Sequence, residues 1–274
     1  MDINLDIDVR EVTVVIKDFI KTYIENSGCK SVVIGFSGGI DSAVTAVLCK
    51  DVLGKNNTKC IFLPEKTTPE NDIKHAELLS NKFDLIYIKK DITNLINQVS
   101  NFLIEKPDKY ALANVKARVR MTILFEYANM TNSLVCGTSN KSEMLIGYFT
   151  KYGDGGVDIQ PIGDLYKTQI WQLAKYLKIP KEIISKPPSA GLWYGQSDEK
   201  ELKLSYPLLD KILVGLERKI DISDISRISN VSKSDVERIK QMRIRSQHKR
   251  RTALIPKIGL RTPGLDWRSP VQKG

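Results

Sequence analysis

Short apolar runs alternate along this chain with longer stretches in which apolar residues recur every three or four positions. The runs are Ser31-Val32-Val33-Ile34, Cys60-Ile61-Phe62-Leu63, Leu85-Ile86-Tyr87-Ile88 and Ser133-Leu134-Val135-Cys136. None alternates with polar residues, which is the pattern of strands buried on both faces. Helical spacing appears over 8–26 (Val9, Val12, Ile16, Phe19, Ile20, Tyr23), 42–53, 69–82, 91–104 and from about Tyr110 to Asn129. In the last of these, Leu112, Val115, Val119 and Ile123 form the expected core stripe. Ser27-Gly28 and Gly54 end two of the helices, and Pro69 starts another. Strand and helix in alternation predict an α/β fold, a parallel sheet with right-handed crossovers and helices on both faces. Two or three short helices are expected over 206–246.

In such sheets ligands bind beyond the carboxyl ends of the strands. The segments Gly35–Ser42 and Gly137–Glu143 both follow strands, so they should meet on one edge. The stretch 148–163 is rich in glycine, mixes Lys151, Asp154 and Asp158 with aromatics, and follows neither period, so it reads as a functional loop. Residues 186–200 are loop-like, and 247–274 form a basic tail with Pro256, Pro263 and Pro270.

Composition narrows the class without choosing a function. A chain of 274 residues can bury one full core. No run of about 18 apolar residues exists, so no transmembrane helix and no membrane partner are expected. The start, Met1-Asp2-Ile3-Asn4-Leu5-Asp6, is acidic and shows no signal-peptide pattern. Cys29, Cys49, Cys60 and Cys136 never form a C-x-x-C pair, which fits a reducing, cytoplasmic setting. Net charge is +10, which suits a polyanionic ligand, nucleotide or nucleic acid alike.

The chemistry starts at Gly35-Phe36-Ser37-Gly38-Gly39-Ile40-Asp41-Ser42. A glycine-rich turn between strand and helix brings backbone N–H groups and a helix N-terminus to an anion. No Gly-Lys-Ser/Thr follows, and an Asp stands where that Lys would be. A carboxylate facing phosphate requires a divalent cation between them, so Asp41 implies Mg²⁺. Thr138, Ser139, Asn140 and Glu143 offer hydroxyls, an amide and a second carboxylate, and the segment also reads as an N-cap, with Ser139 or Thr138 capping and Glu143 in the first turn. Asn114 and Arg118 share one flank of their helix while Arg120 projects from the other, so the two arginines have different jobs. Lys167 opens a helix and can reach a phosphate, or simply sit in water. His248 lies in the basic cluster Gln247–Arg251, and His75 reads as a surface residue.

The loop at 35–42 resembles the pyrophosphate loop of enzymes that split ATP between its α and β phosphates. Together with 113–121, 134–168, 187–199 and 248–251, in that order, the chain resembles the ammonia-dependent NAD⁺ synthetases. The resemblance implies a Rossmann-like fold of the adenine nucleotide alpha hydrolase kind. It implies one domain over 1–274, with a nucleotide-binding core at about 30–180, a helical part at 181–251 and a basic tail at 252–274. It places ATP on residues 35–42, Thr138, Lys167 and Ser189, Mg²⁺ on Asp41 and Glu143, and deamido-NAD⁺ on Arg118, Lys151, Asp158, His248 and Lys249. Asp41 and Lys167 are the implied catalytic residues. At Ser189 either Ser or Thr supplies the needed hydroxyl.

The implied reaction is two-step. A nicotinate carboxylate attacks the α phosphorus, pyrophosphate leaves, and ammonia displaces AMP from the acyl-adenylate to leave an amide. Asp154 or Asp158 is the candidate to assist ammonia. The family is homodimeric. Glutamine use would need a further amidase domain with a catalytic Cys, for which this chain has no room, so free or partner-supplied ammonia is expected. The rival is a tRNA-modifying enzyme with the same loop, which +10 favours and the stretch 137–168 disfavours; a nucleic-acid partner is therefore not expected. A non-catalytic nucleotide sensor is the other rival.

Overall fold

A computed structural model describes residues 3–262. Four strands, β1 (Ser31–Gly35), β2 (Thr58–Phe62), β3 (Ile86–Lys89) and β4 (Ser133–Cys136), form one parallel sheet in the order β3-β2-β1-β4. From β1 the chain crosses to β2 on one side and later returns to β4 on the other. In register, Val33 lies beside Lys59 of β2 and Val135 of β4. The strand order therefore reverses at β1, and the crevice at such a switch point is where ligands sit. The loops leaving β1 and β4 are the two that the sequence places on one edge.

Helix α1 (Val9–Ser27) starts on the Asp8 carboxylate, which accepts from Arg10 and Glu11 N–H, and ends at Gly28 in the left-handed region. Next come α2 (Ile40–Leu53), α3 (Glu70–Phe83), α4 (Thr93–Asn101), α5 (Lys109–Met130), α6 (Lys141–Ile146) and α7 (Lys167–Tyr176). Short α8 (Lys181–Ile184) and α9 (Asp198–Leu202) precede α10 (Tyr206–Glu217), α11 (Ile222–Ser229) and α12 (Lys233–Arg245). The strand residues alternate between two cores. Val32 and Ile34 pack with α1, α2 and α7, whereas Val33, Ile61 and Val135 pack with α4 and α5. This is why the strands read as continuous apolar runs. A third core joins Ile146 of α6 and Tyr166 to α10, α11 and α12.

Three expectations shift. The fully buried positions of α5 are Ala113, Lys116, Ala117, Leu124 and Ala128, while Leu112, Val115, Val119 and Ile123 are only half-buried. Small alanines let α5 lie close to its neighbours, so the largest apolar residues do not mark its inner face. Helix α4 stops at Asn101, leaving Phe102 and Ile104 exposed. His75 is half-buried on α3, not at the surface. Of the tail, Pro263 and Pro270 lie outside the described residues. Among the described residues no helix is long and apolar enough to cross a membrane.

Candidate active site

A cavity of about 480 Å³ opens beyond the carboxyl ends of β1 and β4. Its floor is the loop at 35–42. Gly38 adopts φ +74°, and a Cβ there would lie 2.4 Å from the Asp72 carbonyl oxygen. Only glycine meets both conditions, so the turn can close against α3. Gly39 is the N-cap of α2 and makes no side-chain cap, which leaves the first N–H groups of a 14-residue helix open to an anion. Ser37 and Ser42 hydroxyls lie 3.2 Å apart, and Ser37 Oγ accepts from Gly39 N–H, which fixes the loop from within. All of Gly35–Ser42 except Gly38 line the cavity.

Three charged side chains converge at its wall. Lys167 Nζ lies 2.6 Å from Asp41 Oδ2 and 3.2 Å from Glu143 Oε1, with its own side chain 3% exposed. Asn140 ties the two strand-end loops together. Its amide Nδ2 donates to Asp41 Oδ1 at 3.0 Å, while its Oδ1 caps α6 by accepting from Glu143 N–H. The segment does cap α6, but the cap is Asn140 and not Ser139 or Thr138, while Glu143, at the third helical position, also lines the cavity.

Burial alone would lower the Lys167 pKa, but the carboxylates of Asp41 and Glu143 outweigh it and hold the ammonium charged. Burial raises the Glu143 carboxyl to about 7, with Lys167 opposing and Asp41 adding to the rise. The asymmetry has a simple cause. One ammonium cannot offset two carboxylates, and Asp41 holds the shorter bond. Two hard carboxylate oxygens converging on one cation, with negative charge left over, fit a divalent ion such as Mg²⁺.

Behind these residues Asp210 of α10, fully buried, accepts from Ser142 Oγ at 2.5 Å and from Thr168 N–H and Oγ at 2.9 and 2.8 Å. Ser142 Oγ in turn accepts from Lys167 N–H. Asp210 therefore sets the starts of both α6 and α7, and with them Glu143 and Lys167. Buried Asp198 also lines the cavity and accepts from Tyr206 Oη and Ala190 N–H.

The other expected ligands divide. Thr138, Ser189 and Lys249 line the cavity. Lys249 Nζ donates to the carbonyls of Gly147 and Phe149, so part of its role is to hold the loop at 147–149. Arg118, Lys151, Asp158 and His248 lie outside the lining. Arg118 Nε donates to Lys151 O and Lys151 Nζ to His248 O, making one chain across the outer surface. Asp158 accepts from Val135 N–H at 2.7 Å and fastens its segment alongside β4. Of the two acidic residues considered for ammonia, Asp154 lines the cavity and Asp158 does not. Arg120 lines the cavity and Arg118 is exposed, so the two arginines do differ, but Asn114, expected on the flank of Arg118, lines the cavity with Arg120.

Asp198, Asp210, Lys116 and Glu65 are the residues that sequence reasoning left without a role. No local sign marks them, whereas Asn140, three residues before a Glu at a helix start, carries one for its cap.

The model of the NAD synthase family matches residues 12–253. An NH(3)-dependent NAD(+) synthetase of Methanocaldococcus jannaschii is 42% identical over 253 residues, covering 91% of this chain and 98% of the relative. A solved NH3-dependent NAD synthetase from Campylobacter jejuni superposes with TM-score 0.78 at 32% identity, over 92% of this chain and 100% of that one. An NMN synthetase from Francisella tularensis superposes with TM-score 0.83 at 34% identity, with the same coverage.

Proposed function

Because the chain belongs to the NAD synthase family, we propose that the meeting of Asp41, Glu143 and Lys167 above the Gly35–Ser42 loop is where ATP is split and nicotinate activated. The activity is ATP-dependent, ammonia-dependent NAD⁺ synthesis, a ligase reaction. Adenylation of a tRNA base finds no support.

The convergence of those three side chains carries the site assignment, because it supplies what this chemistry needs. A carboxylate is a poor acyl donor until it carries a good leaving group. An oxygen of the nicotinate carboxylate of deamido-NAD⁺ bonds to the α phosphorus of ATP, and the bond from that phosphorus to the bridging oxygen breaks. Pyrophosphate is received by the open N–H groups of α2 and the loop. Lys167 offsets the negative charge that builds on the phosphates, held in place by Asp41, Glu143 and the start of α7. Asp41 and Glu143 would hold Mg²⁺, which when bound offsets charge on the phosphate oxygens. Thr138 and Ser189, both in the lining, offer hydroxyls to the nucleotide. Ammonia then bonds to the acyl carbon, the carbon–oxygen bond to AMP breaks, and the nitrogen gives up a proton. Asp154, one of several carboxylates in the lining, is the acceptor we assign to that proton. Positioning and charge neutralisation dominate, which suits a site with no histidine in its lining and, in Cys136, a cysteine whose thiol is buried and pushed up by that burial.

Lys249 faces the cavity, and Arg118, Lys151, Asp158 and His248 form the outer edge that receives the far half of the dinucleotide. A second copy of the chain would complete that edge, and the exposed Val14, Val15 and Phe19 of α1 support a homodimer. The unit at work comprises the core at about 30–180 with the helices of 181–251, in the cytoplasm. The test is product analysis with ATP, Mg²⁺, ammonium and deamido-NAD⁺. AMP, pyrophosphate and NAD⁺ in equal amounts are expected; ADP and phosphate would overturn the assignment.

The likeness to an NMN synthetase favours one second reading, that nicotinate mononucleotide is also amidated. Comparing kcat/KM for the mononucleotide and the dinucleotide decides it.

A further inference from the structure

Two segments without regular structure, 63–69 and 186–197, both contribute to the cavity lining, the first through Leu63 and Thr68. Both meet one buried lysine in the middle of α5. An ammonium has three N–H donors, and Lys116 has an acceptor for each. Its Nζ lies 2.8 Å from Glu65 Oε1, 3.2 Å from Thr67 Oγ1 and 2.9 Å from Leu192 O. Two of these acceptors belong to the first segment and one to the second. The ion pair is dry, with side-chain exposures of 6% for Lys116 and 4% for Glu65.

Each segment is also folded onto this point. In the first, the Thr67 hydroxyl donates to Glu65, Glu65 N–H donates to Thr68 Oγ1, and Arg120 Nε of α5 donates to Leu63 O. In the second, Leu192 N–H donates to Gln196 Oε1, so the residue whose carbonyl meets Lys116 is itself fixed. A separate ion pair, Lys186 with Asp72, joins the same two regions at the other end.

We propose that Lys116 is a positioning residue that clips the two segments into one lid, so that nucleotide orders both together or neither. It rests on the reading that ATP occupies the cavity above 35–42. The physical reason is charge. A buried ammonium deprived of one loop's acceptors is left partly unpaired, so opening either segment alone costs the full desolvation of that donor. The favoured states are both closed, or both open with Lys116 and Glu65 in water.

The test is hydrogen exchange followed by mass spectrometry across an ATP titration, with steady-state kinetics. In the unaltered protein, peptides over 63–69 and 186–197 share one opening free energy at saturating ATP, as a single cooperative unit does. The double variant Lys116→Met/Glu65→Gln removes both charges of the pair. In it the two opening free energies at saturating ATP differ, and KM for ATP rises on the order of tenfold while KM for deamido-NAD⁺ stays put. Equal opening free energies in the variant with an unchanged KM for ATP would overturn the proposal. If the double variant does not melt cooperatively, Thr67→Val removes one acceptor and no charge, and carries the same readout. Failure of the underlying reading looks different: ATP then protects no peptide over 35–42 in the unaltered protein.

Discussion

The inner and outer ends of the proposed site are built in opposite ways. At the inner end, Asp41, Asn140, Glu143 and Lys167 bond one another through side chains, and buried Asp210 holds their helices from behind. At the outer end, Arg118 and Lys151 donate to main-chain carbonyls, and Arg118, Asp158 and His248 are exposed. The inner end is preorganised, with its charges fixed before any substrate arrives. The outer end is held in place by its backbone, and its remaining charge faces water. A reaction needing precise placement at phosphorus and looser capture of a long second substrate calls for that division.

The largest effect should come from the inner end. Asp41→Asn removes a carboxylate from the convergence and no core contact, since Asp41 sits at the cavity wall. Pyrophosphate release should fall by roughly 10²–10³-fold or more, with thermal melting near that of the parent. Near-normal release would mean that the three charges do not act on the phosphates, and the contrast between the two ends would lose its meaning.

Next is Asp210. Burial raises its carboxyl from the ordinary value of 3.8 to about 6, against the bonds from Ser142 and Thr168 and the charge of Lys167, which lower it. A carboxyl raised on folding binds its proton more tightly in the folded state. That contribution to stability is complete below about pH 4 and is lost as pH rises through about 6. The gap corresponds to roughly 3 kcal/mol at most. Denaturant midpoints from pH 4 to 7 should show the parent gaining on Asp210→Asn as pH falls. Parallel curves would show that Asp210 is charged throughout and that the inner end tolerates one more anion.

How much of this was legible in the sequence follows from distance along the chain. The loop at 35–42 is a local event of strand, glycines and helix, and its meeting with Gly137–Glu143 follows from the rule for parallel sheets. A cap before Glu143 was legible too, though it was expected at Ser139 or Thr138 and falls on Asn140. Asp210 was not, because its partners Ser142 and Thr168 are 68 and 42 residues away and depend on how α10 packs. Lys116 was hidden for another reason. In a helix with charges on several faces, nothing local distinguishes a buried lysine from a solvated one, and its acceptors come from two distant loops. The outer residues were readable only through family resemblance, since their spacing carries no period.

Arg250 tests whether the outer end is held by its backbone. Its guanidinium donates to Met144 O, Leu145 O, Ser246 Oγ and Arg243 O, closing the ends of α6 and α12 together. Arg250→Leu should cost about 1–2 kcal/mol, seen as a fall in Tm of roughly 2–8 °C. A loss of activity should appear only as KM for deamido-NAD⁺, since Lys249 and His248 move with it. An unchanged Tm would mean that the outer chain stands without this brace.

The smallest effect is the one that separates the two ends most cleanly. Arg118 is exposed, lies outside the cavity lining and makes one hydrogen bond, to Lys151 O at 3.3 Å. Its replacement leaves no buried group unpaired, so folding should be untouched. If its guanidinium holds the far half of the dinucleotide, Arg118→Ala removes binding that is equal in the ground and transition states. KM for deamido-NAD⁺ should then rise by about tenfold with kcat unchanged, and KM for ATP should not move. The mononucleotide, which lacks that far half, should be amidated at the same rate by both proteins. An equal rise in KM for ATP would show that the outer surface reaches the nucleotide cavity, and the inner and outer ends would then be one site.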